Sequence, residues 1–359
     1  MSVGIGWTVR IVEIGAWFAA AACLWLVAVN RWLIHWVDGP MKTIAMAAAL
    51  PLVTGTAVYC AFGPHRALWR PAPFLLLGLL AAGEVRRAIL RHRAQASPPT
   101  PIRAAPRHAW RPLTTTSLSV LRYQARLPGL GDARLRVAHL TDLHLSRRIP
   151  FEHFQAALRA AAASEPDLLL LTGDFVSRRQ SLDLLEMLPI EHVQPRYGAF
   201  AVLGNHDYWT CAEEVREILE DKGIYMIAGQ CRRIPLDDGA AVQVCGTDHP
   251  WGPGLDDPLR QPGPPPLVLS HTPDNIYDLA ERGAAAVFSG HYHGGQLRLP
   301  GLGALVVPSR YGRRFDRGHF RVESTHLFVS SGVGADSPPL RLYCPPDVLI
   351  VDFEGGPPT

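Results

Sequence analysis

Apolar residues follow two patterns along this chain, and the change between them divides it. Up to residue 93 they come in long runs: Ile11 to Val29, whose only charge is Glu13; Thr43 to Gly63, uncharged but containing Pro51; and Ala72 to Gly83, which the turns from Glu84 to Leu90 can extend as a helix. The first two are long enough to cross a hydrocarbon core of about 30 Å, and neighbouring helices can re-satisfy the backbone freed at Pro51. The pattern predicts two or three transmembrane helices, the third run being a span, a re-entrant hairpin or an interfacial helix. Trp7, Trp17, Trp25, Trp32, Trp36 and Trp69 cluster here, several near span ends, where an aromatic belt belongs. No small-x-small cleavage site follows the first run, which argues against a cleaved signal peptide.

Residues 94–112 are rich in Pro, Ala and Arg and read as a linker. Beyond it the apolar runs shorten and alternate in type. Leu135 to Leu140 reads as a strand, Phe151 to Ala163 as a helix, and Leu168 to Leu171 as a strand covered on both faces. Leu182 to Leu188 and Cys211 to Lys222 have helical spacing on either side of a strand at Ala199 to Leu203. Strands then dominate: Ile224–Ile227, Ala241–Cys245, Leu267–Leu269, Ala285–Phe288, Leu327–Val329, Leu340–Leu342 and Val348–Val351. The organisation expected is a membrane region over 1–93, a Pro/Arg-rich linker and lead-in strand over 94–133, and a catalytic domain over 134–359. Alternating strands and helices followed by strand-rich sequence predict an α/β fold of two packed sheets with helices outside.

Charge adds an orientation. Arg86, Arg87, Arg91, Arg93, Arg103, Arg107 and Arg111 form the densest basic cluster, and the positive-inside rule places that flank and the domain behind it in the cytoplasm. The expected location is therefore the inner (cytoplasmic) membrane, multi-pass, with a cytoplasmic catalytic domain. A net charge of +3 without a basic, aromatic-laced stripe gives no case for nucleic acid as a partner. The six cysteines show no paired spacing and read as thiols in a reduced domain.

The chemistry lies in five short stretches, almost all directly after strand-like runs: Asp142-Leu143-His144, Gly173-Asp174, Gly204-Asn205-His206-Asp207, His271, and Gly290-His291-Tyr292-His293. A parallel sheet gathers the loops after its strands at one edge, so seven candidate ligands converge: Asp142, His144, Asp174, Asn205, His271, His291 and His293. Imidazole, carboxylate and amide oxygen donors suit Mn, Fe or Zn, and the lack of thiolates argues against a structural zinc site. Asp174 supplies the anionic oxygen that can bridge two cations, an arrangement that clamps phosphorus for in-line attack. His206, beside a ligand but not needed as one, is placed to protonate the leaving oxygen, and Asp207 is placed to orient it.

With these five motifs in this order over residues 139–293, the chain resembles the calcineurin-like metallophosphoesterase superfamily. The resemblance implies a four-layered α/β/β/α sandwich, here preceded by the transmembrane helical region, and two divalent metal ions. It puts Asp142, His144, Asp174 and His293 on one metal, Asp174, Asn205, His271 and His291 on the other, with His206 as general acid. Gly294-Gly295-Gln296-Leu297, Pro308-Ser309-Arg310-Tyr311-Gly312, Ser331-Gly332-Val333-Gly334 and Pro338-Pro339-Leu340-Arg341-Leu342 look like a bacterial, often membrane-anchored branch of phosphodiesterases. Some members of that branch cleave the pyrophosphate of UDP-2,3-diacylglucosamine in lipid A synthesis. Arg310, Tyr311, Arg313 and Arg314 are candidate substrate-binding residues, because guanidinium groups match phosphate oxygens bidentately.

The function expected is a membrane-anchored dimetal phosphoesterase acting on a phosphodiester or pyrophosphate, with a lipid-linked substrate giving the anchor a purpose. The competing readings are a phosphomonoesterase, a protein phosphatase, and a non-catalytic metal-binding membrane regulator.

Overall fold

The computed structural model describes residues 2–31, 40–104, 112–237, 239–255, 259 and 263–356; Trp32, Trp36, Arg107 and Arg111 lie outside them. The chain divides into two compact units, one of residues 1–93 with 306–314 and one of residues 94–305 with 315–359.

The first unit is helical: α1 (Ser2–Arg31), α2 (Pro40–Phe62), the short α3 (Arg66–Trp69) and α4 (Ala72–Ala94, whose last residue begins the second unit). α1 packs on α2 through Trp17, Ala21, Ala57 and Ala61. Glu13, buried within α1, pairs with Arg10 at 3.4 Å and Arg70 at 3.5 Å, while Arg10 also donates to the Ala61 carbonyl at 2.8 Å. Such pairing is how a charge is accommodated in an apolar helix. Among the described residues one helix, over Trp7–Val29, is long and apolar enough to cross a membrane. This narrows the two or three spans expected. Among the described residues Ala47–Phe62 of α2 is a shorter apolar stretch, and α4 carries Glu84, Arg86, Arg87, Arg91 and Arg93 in its second half.

In the second unit the chain first forms β1 (Thr100–Arg103), β2 (Ser119–Pro128), β3 (Arg134–Leu140), α5 (Phe151–Ala162), β4 (Leu168–Thr172), α6 (Leu182–Met187), β5 (Ala199–Val202), α7 (Asn205–Thr210), α8 (Ala212–Asp221) and β6 (Tyr225–Met226). Then follow β7 (Cys231–Pro235), β8 (Ala241–Thr247), β9 (Pro266–Ser270), α9 (Ile276–Arg282), β10 (Ala286–Ser289), β11 (Arg298–Leu299), β12 (Gly303–Ala304), β13 (Gly318–Val322), β14 (Thr325–Val329) and β15 (Asp347–Gly356). They build a seven-stranded sheet, β1-β2-β15-β3-β4-β5-β6, and a six-stranded sheet, β13-β14-β10-β9-β8-β7. The C-terminal strand β15 is internal, parallel to β2 and antiparallel to β3.

Strand alternation separates two cores. Leu168, Leu170, Val137, Phe200 and Val202 join Leu267, Leu269, Phe288 and Phe328 in the core between the sheets. Their neighbours Leu169, Leu171, Ala138 and Ala201 pack with Phe154, Leu158, Leu185, Val215 and Leu219 of α5, α6 and α8. The unbroken apolar run of β4 is thus a strand buried on both faces. The expected strand at Leu340–Leu342 is absent; Leu342 makes only isolated bridges to Leu113 and Leu297.

The cysteines correct the sequence reading. Cys231 and Cys245 face each other across the antiparallel pair β7 and β8 and form a disulfide, while Cys23, Cys60, Cys211 and Cys344 are free. The spacing of the two carried no signal, because only the hairpin register makes them opposite.

Candidate metal centre

Five parallel strands set the site. β3, β4 and β5 are parallel neighbours in one sheet, as are β9 and β10 in the other, so their C-terminal ends open on one edge. Asp142 and His144 follow β3, Asp174 follows β4, Asn205 and His206 follow β5, His271 follows β9, and His291 and His293 follow β10. All seven expected ligands gather there. Asp142, His144, Asp174 and His293 place one donor atom each within 4.8 Å of one another, and Asp174, His271 and His291 do the same, with Asp174 common to both groups. The Asn205 Oδ1 lies 3.2 Å from His271 Nε2.

The backbone is strained to achieve this. Asp142, His144, Asp174, His291 and His293 all have positive φ, between 40° and 67°. Residues with side chains seldom enter this region, at a cost of about 1–2 kcal/mol each. Strain at five of seven converging residues is a mark of a functional site rather than of folding. Close approach of the backbone makes it possible: a Cβ on Gly290 would come closer than 3.0 Å to Asp142 and Thr141, and one on Gly204 would do the same to Asp174. Asp142 is braced in turn by the His291 N–H, at 3.0 Å and 3.1 Å from its two oxygens, and by the Thr141 hydroxyl at 3.0 Å.

The donor set calls for positive charge. His271 Nδ1 is 2.6 Å from the Thr172 carbonyl, an acceptor, so its proton sits on Nδ1. Its Nε2 then directs a lone pair at Asp174 Oδ2 and Asn205 Oδ1, each 3.2 Å away. Three electron pairs converge with no hydrogen among them unless a proton or a metal ion sits between. His144 Nε2 and His293 Nε2 are likewise 3.0 Å apart, each 3.4 Å from a carboxylate, Asp174 and Asp142 respectively. The titration tendencies record the same demand. Burial opposes charge on His271 and His144, but Asp174 outweighs it and both rise to about 9. Burial acts to raise Asp174, yet the surrounding imidazoles, His271 foremost, hold it well below the usual carboxylate range. Burial, with the charges of His144 and Arg341, keeps His293 well below the ordinary histidine value, ready to offer a lone pair. These residues fit two divalent cations.

His206 lies at the rim of the cluster. Its N–H donates to Asp174 Oδ1 at 2.8 Å, and its ring stands edge-on to His144 and tilted against Trp209. Asp207, expected to orient it, is turned the other way. Its carboxylate is fully buried and accepts the backbone N–H groups of Asp174, Phe175, Val176 and Gly204. It fastens the Gly173–Asp174 turn to the start of α7, closing half of a capping box. The carboxylate beside His206 is Asp336, 3.6 Å away. No motif pointed to it, since it lies in a loop after β14, far along the chain. Trp251 was missed as well and packs against His271 and His291.

Arg310, Tyr311, Arg313 and Arg314 belong to the segment grouped with the helical unit. There Arg313 pairs with Glu84, and Arg91 donates to the Arg314 carbonyl.

Two mixed sheets with Asp, Asn and His side chains converging at their shared strand edge define a dinuclear metallohydrolase. A profile of the calcineurin-like phosphoesterase family matches residues 135–295. The chain is 30% identical to the phosphodiesterase YaeI of Escherichia coli, over 62% of this chain and 83% of that one. It is also 30% identical to an uncharacterized metallophosphoesterase of Aquifex aeolicus, over 69% of this chain and 96% of the other. Over 60% of its length it is 26% identical to the UDP-2,3-diacylglucosamine pyrophosphatase LpxG of Chlamydia muridarum, of which it covers 83%. The chain belongs to the calcineurin-like phosphoesterase family and is a metal-dependent phosphoric ester hydrolase using two divalent metal ions.

Proposed function

We propose that the protein is a membrane-anchored hydrolase of a phosphodiester or pyrophosphate bond in a lipid-linked substrate, of which UDP-2,3-diacylglucosamine is the first candidate. Residues 134–359 form the catalytic domain and residues 1–93 the membrane region. Asp142, His144, Asp174 and His293 hold one metal; Asp174, Asn205, His271 and His291 hold the other. When bound, the two ions polarise the phosphoryl oxygens and neutralise developing charge. The chain's own residues do the rest. Asp174 fixes the spacing of the two donor groups, and His206 gives a proton to the leaving oxygen. The observation that carries this reading is the convergence of His271 Nε2, Asp174 Oδ2 and Asn205 Oδ1, three donors that call for a cation among them.

An apolar helix long enough to cross a membrane and a relative named for a lipid-linked nucleotide substrate support the choice of substrate, since an anchor raises the local concentration of a bilayer-borne partner. The test is full-length protein in detergent with Mn²⁺, offered UDP-2,3-diacylglucosamine, with a chromogenic phosphodiester as control. Release of UMP and the lipid monophosphate supports the proposal. Cleavage of the control alone removes this substrate and moves the search to other lipid or cell-wall diesters.

The basic flank from Arg86 to Arg93 supports a cytoplasmic domain, the side where a UDP-linked lipid is met. The Cys231–Cys245 disulfide counts against that side, because such bonds persist in oxidising compartments. Maleimide labelling after denaturation of rapidly quenched cells decides between them. Free thiols at both positions keep the cytoplasmic assignment; a protected pair places the domain on the oxidising face and rejects a UDP-linked substrate.

A further inference from the structure

A leaving-group acid must be held as well as present, and the carboxylate that the sequence offered for this, Asp207, is spent on backbone N–H groups. Asp336 stands in the other direction. Its Oδ2 is 3.6 Å from His206 Nε2, with the His206 side chain 12% exposed and that of Asp336 35%. His206 Nε2, Asp336 and His144 together place their donor atoms within 4.8 Å of one another, so the pair faces the metal cluster rather than bulk solvent.

The loop that carries Asp336 is firmly placed. Val333 N and Gly334 N donate to the carbonyls of Thr141 and Asp142, at 3.0 Å and 2.8 Å, laying the segment alongside the first metal-ligand loop. The buried Arg341 guanidinium donates to the Gly334 and Ser331 carbonyls, both at 2.7 Å. Gln296 clasps Asp336 from both sides, accepting from its N–H at 3.0 Å and donating to its carbonyl at 3.2 Å. Ser337 N–H occupies Asp336 Oδ1 at 2.6 Å, which leaves Oδ2 turned to the imidazole. A separation of 3.6 Å is an ion-pair distance rather than a hydrogen bond, so the carboxylate draws the ring towards the cluster by its charge and leaves the Nε2–H free for the leaving oxygen.

We propose that Asp336 is the positioning residue for His206, holding the imidazole so that its Nε2–H is delivered to the leaving oxygen. The inference rests on the phosphodiester hydrolase reading above. In the step it serves, a water oxygen forms the new P–O bond and its proton passes to solvent. The ester P–O bond breaks with its electron pair on the leaving oxygen, which takes the Nε2 proton; the imidazole is recharged from solvent. Asp336 stays ionised throughout and forms no bond to phosphorus.

The experiment compares wild type, Asp336→Asn and Asp336→Glu, each full length in detergent with Mn²⁺, on aryl phosphodiesters that differ only in leaving group: p-nitrophenol, which departs unaided, and phenol, which needs the proton. For Asp336→Asn the expected result is a kcat loss of about 10- to 100-fold with phenol and less than about threefold with p-nitrophenol. KM, metal content by atomic absorption and melting temperature should hold, and Asp336→Glu should recover part of the phenol rate. An equal loss on both leaving groups overturns the proposal, as does loss of metal from Asp336→Asn, which would make Asp336 a ligand. Wild-type silence on both diesters would instead bring down the phosphodiester reading, and this inference with it.

Discussion

Asp207→Ala separates two accounts of one residue. If Asp207 oriented His206, its removal would cost turnover and little else. The structure gives it four buried N–H donors, with distances of 2.8 Å to Asp174, 2.9 Å to Phe175, 3.2 Å to Val176 and 3.0 Å to Gly204. A buried donor left without an acceptor costs at least about 1 kcal/mol, so losing all four costs about 4 kcal/mol. For a domain of this size that corresponds to a melting temperature lower by roughly 8–16 °C. The loss falls on the turn that carries Asp174, so metal affinity should fall with it. Asp207→Asn keeps one oxygen and should lose about half as much. The assay is thermal unfolding in detergent with Mn²⁺, alongside metal content, with His206→Ala as the comparison: it should keep both metals and its stability while losing turnover on a poor leaving group. An Asp207→Ala protein that melts with wild type, keeps its metal and matches His206→Ala in kcat would refute this reasoning and restore the orienting role.

Three further outcomes follow from the geometry. Gly290→Ala forces a methyl group against Asp142 and Thr141; a ligand displaced by about 1 Å should cost on the order of 100-fold in activity, with reduced occupancy of one metal measured by calorimetric titration, and unchanged occupancy and rate would contradict the packing. Asp174→Ala, by removing the oxygen common to both donor groups, should empty the site, and a variant still holding two metals would rule out the bridge. A third outcome concerns acid. His319 Nε2 and His326 Nδ1 are 2.8 Å apart in a chain running from the Ser97 hydroxyl to the Arg126 carbonyl. Burial lowers them to about 3 and about 4. The unfolded chain therefore takes up protons first, so stability is full above about pH 6.5 and is lost as pH falls from there towards the folded values. Each imidazole accounts for about 2 kcal/mol by pH 5, and His326→Gln should flatten urea-unfolding stability over that window. An unchanged slope would show that another group drives the acid loss.

The convergence of these side chains was legible in the chain because almost every one follows a short apolar run. A strand's end fixes where the next loop points, so Asp142, Asp174, Asn205, His271 and His291 could be assigned to one sheet edge from local order alone. The same logic covers the two-faced strand Leu168–Thr172, whose unbroken leucines require a core on each side. Long apolar length was a weaker guide. It marked α1, whose Trp7–Val29 stretch is long and apolar enough to cross a membrane, whereas charges fill the second half of the third helix.

What the tertiary structure decided are the relations between residues distant in sequence. Cys231 and Cys245 become opposite only through a hairpin register. Asp207 is enclosed by the turn it caps, while Asp336 comes beside His206 on a loop after β14, held by Gln296. The left-handed backbone at five of the seven converging residues has no sequence signature either. Local patterning can say which side chains reach an edge. Which of them face each other there depends on strand order, register and loop closure, and those are set by the packing of the whole domain.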